Sequence, residues 1–564
     1  MTKKILLYFF IFSIIIPRAE IIFAQADTVS ITIDTKESAG SFTPLWSYFG
    51  YDEANYSTMK DGKKLLSELA TLSANPVYVR VHNLLTTGDG IPALKWSSTN
   101  AYTEDANGDP VYNWSIVDSI FDVFIKRGIK PIAEIGFMPE ALSVKPKPYR
   151  HHWKPGSPYD SIFTGWAYPP VDYNKWSQLI YQWVKHCVKK YGEQEVKSWY
   201  WEVWNEPNIG YWRGSMQEYF TLYDYTVDAV KTACPGARVG GPTSTGPRWD
   251  KAADFLTEFL QHCVDGKNAA TGKNGAPLDY ITFHAKGAPA VVNNNVQMNM
   301  AVQLQDVAKG FEIINSFPSL KELPVMIGEF DPEGCAACSV QFSPQNAYRN
   351  GTMYSSYTAA SFAQLYAMRE KYNVNLTGAV SWSFEFENQP WFAGFRDLAT
   401  NGVDKPVLNV FRMFGMMKGN LLEVQNSNKI PLEKIIDSSV RGDEPYIDAL
   451  ATLDANNMYI LVWNYHDDDS KKEDAFIKIK LQHLPAANIR VSSFLVDATH
   501  SNSYTIWKKM GSPQEVSEEK FNELKKAGHL QKSVEDTKLK VLNGTMNYRL
   551  NLKSQGVALL KVSW

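Results

Sequence analysis

The sequence predicts an α/β chain: a (β/α)8 TIM barrel followed by an accessory all-β sandwich domain. Three observations carry this. From residue 43 to 415, short apolar runs alternate with stretches of helical period. The strand-like runs in that span number eight. From residue 416 on, the helical period gives way to short strands with turns between them. Strands covered by helices on both faces read as continuous apolar runs, and eight β-then-α units are what the barrel requires. A doubly wound open sheet carries a glycine-rich phosphate loop after its first strand, and none is present.

In chain order, residues 1–26 read as a signal peptide. Lys3 and Lys4 form a basic start, residues 5–16 an apolar segment, and Phe23-Ala-Gln-Ala26 a small-residue cleavage region. Export, to the outside or the periplasm, is therefore expected. A retained anchor is the alternative, although the apolar segment is short for a span and no stable membrane insertion is expected after signal removal. Residues 27–42 hold a strand, 29–33, expected to join the sandwich. The barrel, 43–415, has expected strands at 44–49, 77–81, 130–135, 199–204, 238–241, 280–284, 325–329 and 379–384. The clearest helix is 174–191, where Trp176, Leu179, Ile180, Trp183, Val184, Cys187 and Val188 recur on one face behind a candidate cap, Asp172. Helices are also expected at 216–233 and 346–372. The sandwich, 416–564, has expected strands at 449–453, 458–463, 476–480, 489–496, 538–541, 546–552 and 557–562. The charged run 515–526 reads as a solvated helix. With no repeat and no low-complexity linker, the two domains are expected to pack tightly.

Composition excludes several functions. Hydrophobic content of 44% with 21% charge is that of a globular chain, and a net charge of −3 gives no pull toward nucleic acid. Five cysteines are too few for a disulfide scaffold. Cys335-Ala-Ala-Cys338 lacks the partners of a zinc site and the helix start a redox pair uses, leaving a loop-bracing disulfide or two inert thiols. Seventeen tryptophans serve a large core, sugar stacking or both. No metal cluster or cofactor motif is visible, so none is expected. Gly-x-Ser-x-Gly and His-Glu-x-x-His are absent, which argues against esterase and peptidase chemistry.

Two glutamates each close a short apolar run. Glu206 lies in Trp199-Tyr-Trp-Glu-Val-Trp-Asn-Glu-Pro-Asn208, after the fourth strand. Glu329 lies in Leu323-Pro-Val-Met-Ile-Gly-Glu-Phe-Asp-Pro332, ending the seventh. Catalytic groups of such barrels sit at these C-terminal strand ends, and a carboxylate buried there needs a partner. Singly, each is a turn residue or an ion-pair partner. Together they suit hydrolysis of a glycosidic bond, which uses one carboxyl as acid and another facing the developing cation. Glu206, beside Trp204, is expected to keep its proton longer through desolvation, as an acid should. Asn205 can donate to a substrate hydroxyl. Glu329 is the expected nucleophile, with small Gly328 permitting close substrate approach. An oligosaccharide is the implied partner. The rival reading is an inactive carbohydrate-binding barrel, which is expected to lack one of the two glutamates.

Trp204-Asn-Glu-Pro-Asn208, Asp279-Tyr-Ile-Thr-Phe-His-Ala-Lys-Gly287 and the strand closing at Glu329 resemble glycoside hydrolase family 39, which holds β-xylosidases and α-L-iduronidases. The likeness continues through Val496-Asp-Ala-Thr-His-Ser-Asn-Ser-Tyr-Thr-Ile-Trp507 and Met510-Gly-Ser-Pro513. It implies a retaining enzyme with Glu206 as acid/base and Glu329 as nucleophile, their carboxyls about 5–5.5 Å apart. His82, in Tyr78-Val-Arg-Val-His-Asn83, and His284 become candidate sugar contacts. Lys286 stands where iduronidases of this family place a lysine and xylosidases tend to place a tyrosine, and Glu329-Phe-Asp-Pro332 is similar to the iduronidase pattern. A uronic acid substrate or an internal ion pair would each explain that cation. Glu387 and Arg396 fall near an acidic residue and an arginine that iduronidases use for substrate, with Glu387 departing from the expected aspartate. The resemblance thus implies an exo-glycosidase acting on terminal sugars of polysaccharide-derived oligosaccharides, with a neutral galactoside, glucoside or arabinoside as the alternative to a uronide.

Overall fold

Eight parallel strands close into a barrel: Tyr48–Tyr51, Tyr78–Val81, Lys130–Ile135, Tyr200–Val203, Arg238–Ser244, Tyr280–Lys286, Val325–Asp331 and Leu376–Trp382. They pair in sequence order, and the eighth closes on the first through Val380, Ser381 and Trp382 against Tyr48, Phe49 and Gly50. The computed structural model describes residues 28–382 and 385–564; the expected signal segment, 1–26, and the end of the expected eighth strand lie outside them. All eight expected strands have a counterpart. The first starts later than its apolar run because residues 44–47 turn, Ser47 N–H donating to Pro44 O at 3.0 Å.

The helices between strands follow the periodicity. In Tyr173–Tyr191 the buried face is Trp176, Leu179, Ile180, Trp183, Val184 and Cys187. Asp172 caps it, accepting from Asn174 N–H at 2.7 Å and Lys175 N–H at 3.2 Å. Met216–Ala233 starts in a capping box of Ser215 and Glu218. The expected helix at 346–372 is in fact a 3-10 segment, Pro344–Asn350, then an α-helix, Thr352–Tyr372. Eight tryptophans are among the largest fully buried side chains, so the aromatic content mainly serves the core.

Nine further strands form a sheet with an apolar core of its own, and three two-stranded ribbons lie outside both sheets. The N-terminal strand Val29–Ser41 lies inside it, antiparallel to Asn420–Asn426 and parallel to Ala475–Gln482. Strand Asn457–Tyr465 joins the two cores by period-2 alternation. Met458, Ile460 and Val462 face the sandwich interior, while Tyr459, Leu461, Trp463 and Tyr465 belong to the barrel cluster. Ser356 of the barrel donates to Gln555 at 2.6 Å, a buried hydrogen bond between the halves. Several strands exceed the sequence reading, Val29–Ser41 running well past its expected 29–33. Asn420–Asn426 was not expected, and Gln531–Lys540 is far longer than its apolar end at 538–541. The latter is an edge strand whose charged, exposed residues blunt further pairing, which hides it from an apolar pattern.

Cys335 and Cys338 form a disulfide in the loop after the seventh strand. The buried Arg349 guanidinium organises that loop, donating to Cys335 O at 2.8 Å and Cys338 O at 3.0 Å. In the loop after the eighth strand, buried Glu385 accepts from Gly402 N–H, and burial pushes its carboxyl up to about 8. Its folded value thus exceeds its unfolded one. The stability it contributes is complete at acid pH and lost as pH rises from about 4.5 to 8, at roughly 1.4 kcal/mol per pH unit. Glu385→Gln is expected to flatten the pH dependence of the urea midpoint in that window; an unchanged slope would count against a neutral Glu385.

Candidate active site

The turn bearing Glu206 is strained. Trp204 has φ 68° and Glu206 φ 45°, a left-handed conformation that non-glycine residues seldom adopt. Two bonds hold it: Trp204 Nε1–H donates to Tyr211 O at 2.9 Å, and Glu206 N–H donates to Thr243 O at 3.0 Å on the fifth strand. The bent backbone aims Glu206 at the seventh strand. There the pairing register with the sixth strand shifts between Ile327 and Glu329, so that Glu329 lies beside His284. Gly328 sits at the shift. A Cβ on it would lie 3.1 Å from both His284 Cδ2 and Thr243 Cγ2. Its small size therefore makes room for the His284 ring, which corrects the expectation that the space is kept for substrate.

The two carboxylates meet over one ammonium. Lys286 Nζ is 3.2 Å from Glu206 Oε1 and 2.6 Å from Glu329 Oε2. His284 Nδ1 is 2.8 Å from Glu206 Oε1 and 3.8 Å from Glu329 Oε1. One oxygen of Glu206, one oxygen of Glu329 and a His284 ring nitrogen lie within 4.8 Å of one another, close enough for the roughly 5–5.5 Å carboxyl separation of a retaining pair. These three could in principle hold a metal ion, but Lys286 already supplies the positive charge between the carboxylates. Burial raises the pKa of both glutamates, yet the charges beside them win. Lys286 and the His284 hydrogen bond hold Glu206 well below the carboxylate range. His284 and Lys286 hold Glu329 at about 2. The expectation that Glu206 keeps its proton through desolvation is thus overturned in this state of the site: the acid candidate is ionised while Lys286 touches it.

Beneath the pair lies a buried charge network that sequence reasoning missed. Arg80, in the second strand, donates through Nη1 to Glu329 Oε1 at 3.2 Å and through Nη2 to Glu134 Oε2 at 3.1 Å and Asn205 Oδ1 at 3.0 Å. Its Nε donates to Glu202 Oε1, and its guanidinium lies 4.9 Å from the Trp382 ring centroid. Because Asn205 gives its oxygen to Arg80, its amide NH2 remains the donor end, as the expected hydroxyl contact needs. His82 lies between Asp52, 3.3 Å from Nδ1, and Glu134, 3.0 Å from Nε2. Burial and Arg80 hold His82 far below the usual histidine value, hence neutral, and burial raises Glu134 well above the carboxylate range. One signal was available: Arg80, Glu134 and Glu202 are charged residues inside strands buried on both faces, and such charges must be paired. Asp52, His82, Asn83, Lys95, Phe137, Ile162, Trp166 and Tyr211 line a small cleft on the His82 side of this network. Lys95, a further residue missed, pairs with Asp52.

A model of the family described as glycosyl hydrolases family 39 matches residues 29–541. The chain belongs to this family. Among its relatives, a β-xylosidase of Caldicellulosiruptor saccharolyticus is 26% identical over 520 residues, covering 89% of this chain and 92% of that protein. An α-L-iduronidase of Mus musculus is 24% identical, covering 88% and 75%. The solved structure of a monomeric β-xylosidase from Caulobacter crescentus CB15 superposes with a TM-score of 0.74 at 21% identity, covering 95% of this chain and 99% of that one. This family-39 member is therefore a glycoside hydrolase, built on the barrel and sandwich described above.

Of the eight expected site residues, Glu206, Glu329, His82, Asn205, His284 and Lys286 converge on one network. The other two stand apart from the carboxylate pair. Glu387 accepts from Asp61 N–H at 2.8 Å, on the first turn of helix Lys60–Ala70. Arg396 is fully buried; it donates to Trp382 O at 2.7 Å and Glu333 Oε1 at 2.6 Å and lies 3.3 Å from Asp331 Oδ2. It braces the ends of the seventh and eighth strands, so direct contact with a sugar would require that bracing to open.

Proposed function

We propose that this family-39 member is an exported retaining exo-glycosidase in which Glu206 is the acid/base and Glu329 the nucleophile. The observation that carries the reading is the single Lys286 ammonium shared by two carboxylates close enough for a retaining pair. Glu206 gives its proton to the glycosidic oxygen as the bond from that oxygen to the anomeric carbon breaks. A Glu329 oxygen bonds to the anomeric carbon, forming a glycosyl-enzyme. Water then attacks that carbon, Glu206 takes the water's proton, and the ester to Glu329 breaks. The NH2 of Asn205 is the donor for a sugar hydroxyl, while His82, whose ring nitrogens face Asp52 and Glu134, reaches a sugar only if one of those contacts gives way.

Lys286 points to the substrate. While it touches Glu206 the acid is deprotonated, so the first step needs the ammonium drawn aside. A sugar carboxylate would do that, pairing with Lys286 and letting Glu206 regain a proton. This favours a uronide, the substrate type in the name of the iduronidase relative. A neutral sugar such as a xyloside, named in the other relative, would have to displace Lys286 without a charge to replace the pair. The deciding experiment compares aryl α-L-iduronide, β-xyloside, β-glucoside, β-galactoside and α-L-arabinoside on wild type and Lys286→Met. The uronide is expected to lose roughly 10²-fold in kcat/KM, as a charged pair is removed, and neutral glycosides much less. Equal losses on all would reject the uronide reading. Loss of the ammonium also raises both glutamate pKa values, so the bell-shaped pH profile on a neutral glycoside is expected to move to higher pH on both limbs.

A further inference from the structure

The loop after the third barrel strand carries a charge pattern that the reaction at Glu206 and Glu329 does not use. Residues 145–154 read Lys-Pro-Lys-Pro-Tyr-Arg-His-His-Trp-Lys: six basic side chains and no acid in a chain of net charge −3. A loop that served only solubility would interleave both signs. This one is fastened to the cleft wall. Tyr149 OH donates to Met138 O at 2.9 Å and accepts from Thr87 N–H at 2.9 Å. The His151 ring stands edge-on to Trp96 at 5.3 Å. Farther along, Lys95 of the cleft lies 5.7 Å over the Tyr159 ring, and the Tyr159 and Tyr211 hydroxyls are 2.7 Å apart. Tyr211 lines the cleft and sits in the loop that carries Glu206, whose proton meets the departing sugar. The basic loop therefore borders the leaving-group side.

Lys147 of this loop is paired with Glu140, but three other outward groups have no such partner. Lys145, His152 and Lys154 are exposed, with no carboxylate in ion-pair reach among the described residues. Arg150 touches only Asp89 among carboxylates, at 3.3 Å. Two rings complete the surface. Tyr159 is 37% exposed and Phe342, from the loop after the seventh strand, 53% exposed. Phe342 covers Gly156 so closely that a Cβ there would lie 2.7 Å from its ring. Rings held open at a cleft mouth are surfaces on which a sugar face can stack.

We propose that Arg150 and Lys154, with the rings of Tyr159 and Phe342, form the subsite for the sugar on the leaving-group side, and that this subsite takes an anionic sugar bearing a carboxylate or a sulfate ester. The proposal rests on the assignment of Glu206 as acid/base, which fixes the leaving-group side. Calorimetric titration of the Glu329→Gln protein with three oligosaccharides of equal length, one uronate-bearing, one sulfated and one neutral, tests it. At least one anionic ligand is expected to bind about tenfold more tightly than the neutral one, with the margin shrinking as salt rises. The tighter of the two names the anion. In the Arg150→Gln, Lys154→Gln background the margin is expected to collapse while the melting temperature holds; Tyr159→Ala is expected to weaken all three ligands. Equal binding of anionic and neutral ligands, or a margin untouched by the double substitution, would overturn the subsite. If the catalytic assignment alone is wrong, azide added to Glu329→Gly and Glu206→Ala yields glycosyl azides of the opposite configurations to those expected, although the binding margin remains.

Discussion

Glu329→Gln is expected to lower kcat on an aryl glycoside by roughly 10⁴- to 10⁶-fold, the range seen when a nucleophile acting as one unit with its partners is removed. Glutamine has nearly the same shape but a far poorer nucleophile, so the glycosyl-enzyme cannot form. It also has one acceptor where the carboxylate has two. Glu329 Oε1 accepts from Arg80 and Oε2 is paired with Lys286, so one buried donor loses its partner at a cost of about 1–3 kcal/mol in stability. Glu206→Gln is expected to act differently. Loss of an acid costs about 10²–10⁴-fold, and the loss shrinks on aryl leaving groups that depart without a proton. Azide added to Glu329→Gly should yield a glycosyl azide of inverted configuration, and added to Glu206→Ala one of retained configuration. If Glu329→Gln keeps activity within tenfold of wild type, or the azide products have the opposite configurations, the role assignment is wrong.

Much of this site could be read from the chain because its two acids sit where the pattern breaks. An apolar run that ends in Asn-Glu-Pro or Gly-Glu shows a strand, its end and a costly group at once, and barrel geometry then brings the ends together. Lys286, two residues past His284, is singled out by the family resemblance rather than by this pattern. What stayed hidden depends on which pairs form. Arg80, Glu134 and Glu202 sit inside strands that read as apolar, and only the closed barrel puts the second, third and fourth strands side by side. The charge state of Glu206 was misjudged because burial can be inferred from Trp204, whereas the Lys286 ammonium at 3.2 Å is a fact of three dimensions. Gly328 was misread because its neighbour across the register shift is a His284 ring rather than open cleft.

Arg80→Met is expected to destabilise the protein by about 3–5 kcal/mol at neutral pH, the cost of leaving buried charges without their partner. Three carboxyls, those of Glu134, Glu202 and Glu329, lean on this one guanidinium. Arg80→Lys is expected to recover only part of the loss, because a point charge cannot reproduce a planar fork serving Glu202, Glu134, Asn205 and Glu329 together. Catalysis should report the same loss. Without the guanidinium Glu329 is harder to ionise, so the acid limb of kcat/KM moves to higher pH. Stability gives a sharper test. Glu329 has a folded pKa of about 2, below its unfolded value. Its stabilising contribution is therefore present above about 4.5 and lost as pH falls toward 2. Arg80 supplies part of that contribution, so the gap between wild type and Arg80→Met in urea midpoints should narrow on acidification through this window. A gap that stays constant with pH would assign the cost to lost packing on Trp382 rather than to the charge network beneath the nucleophile.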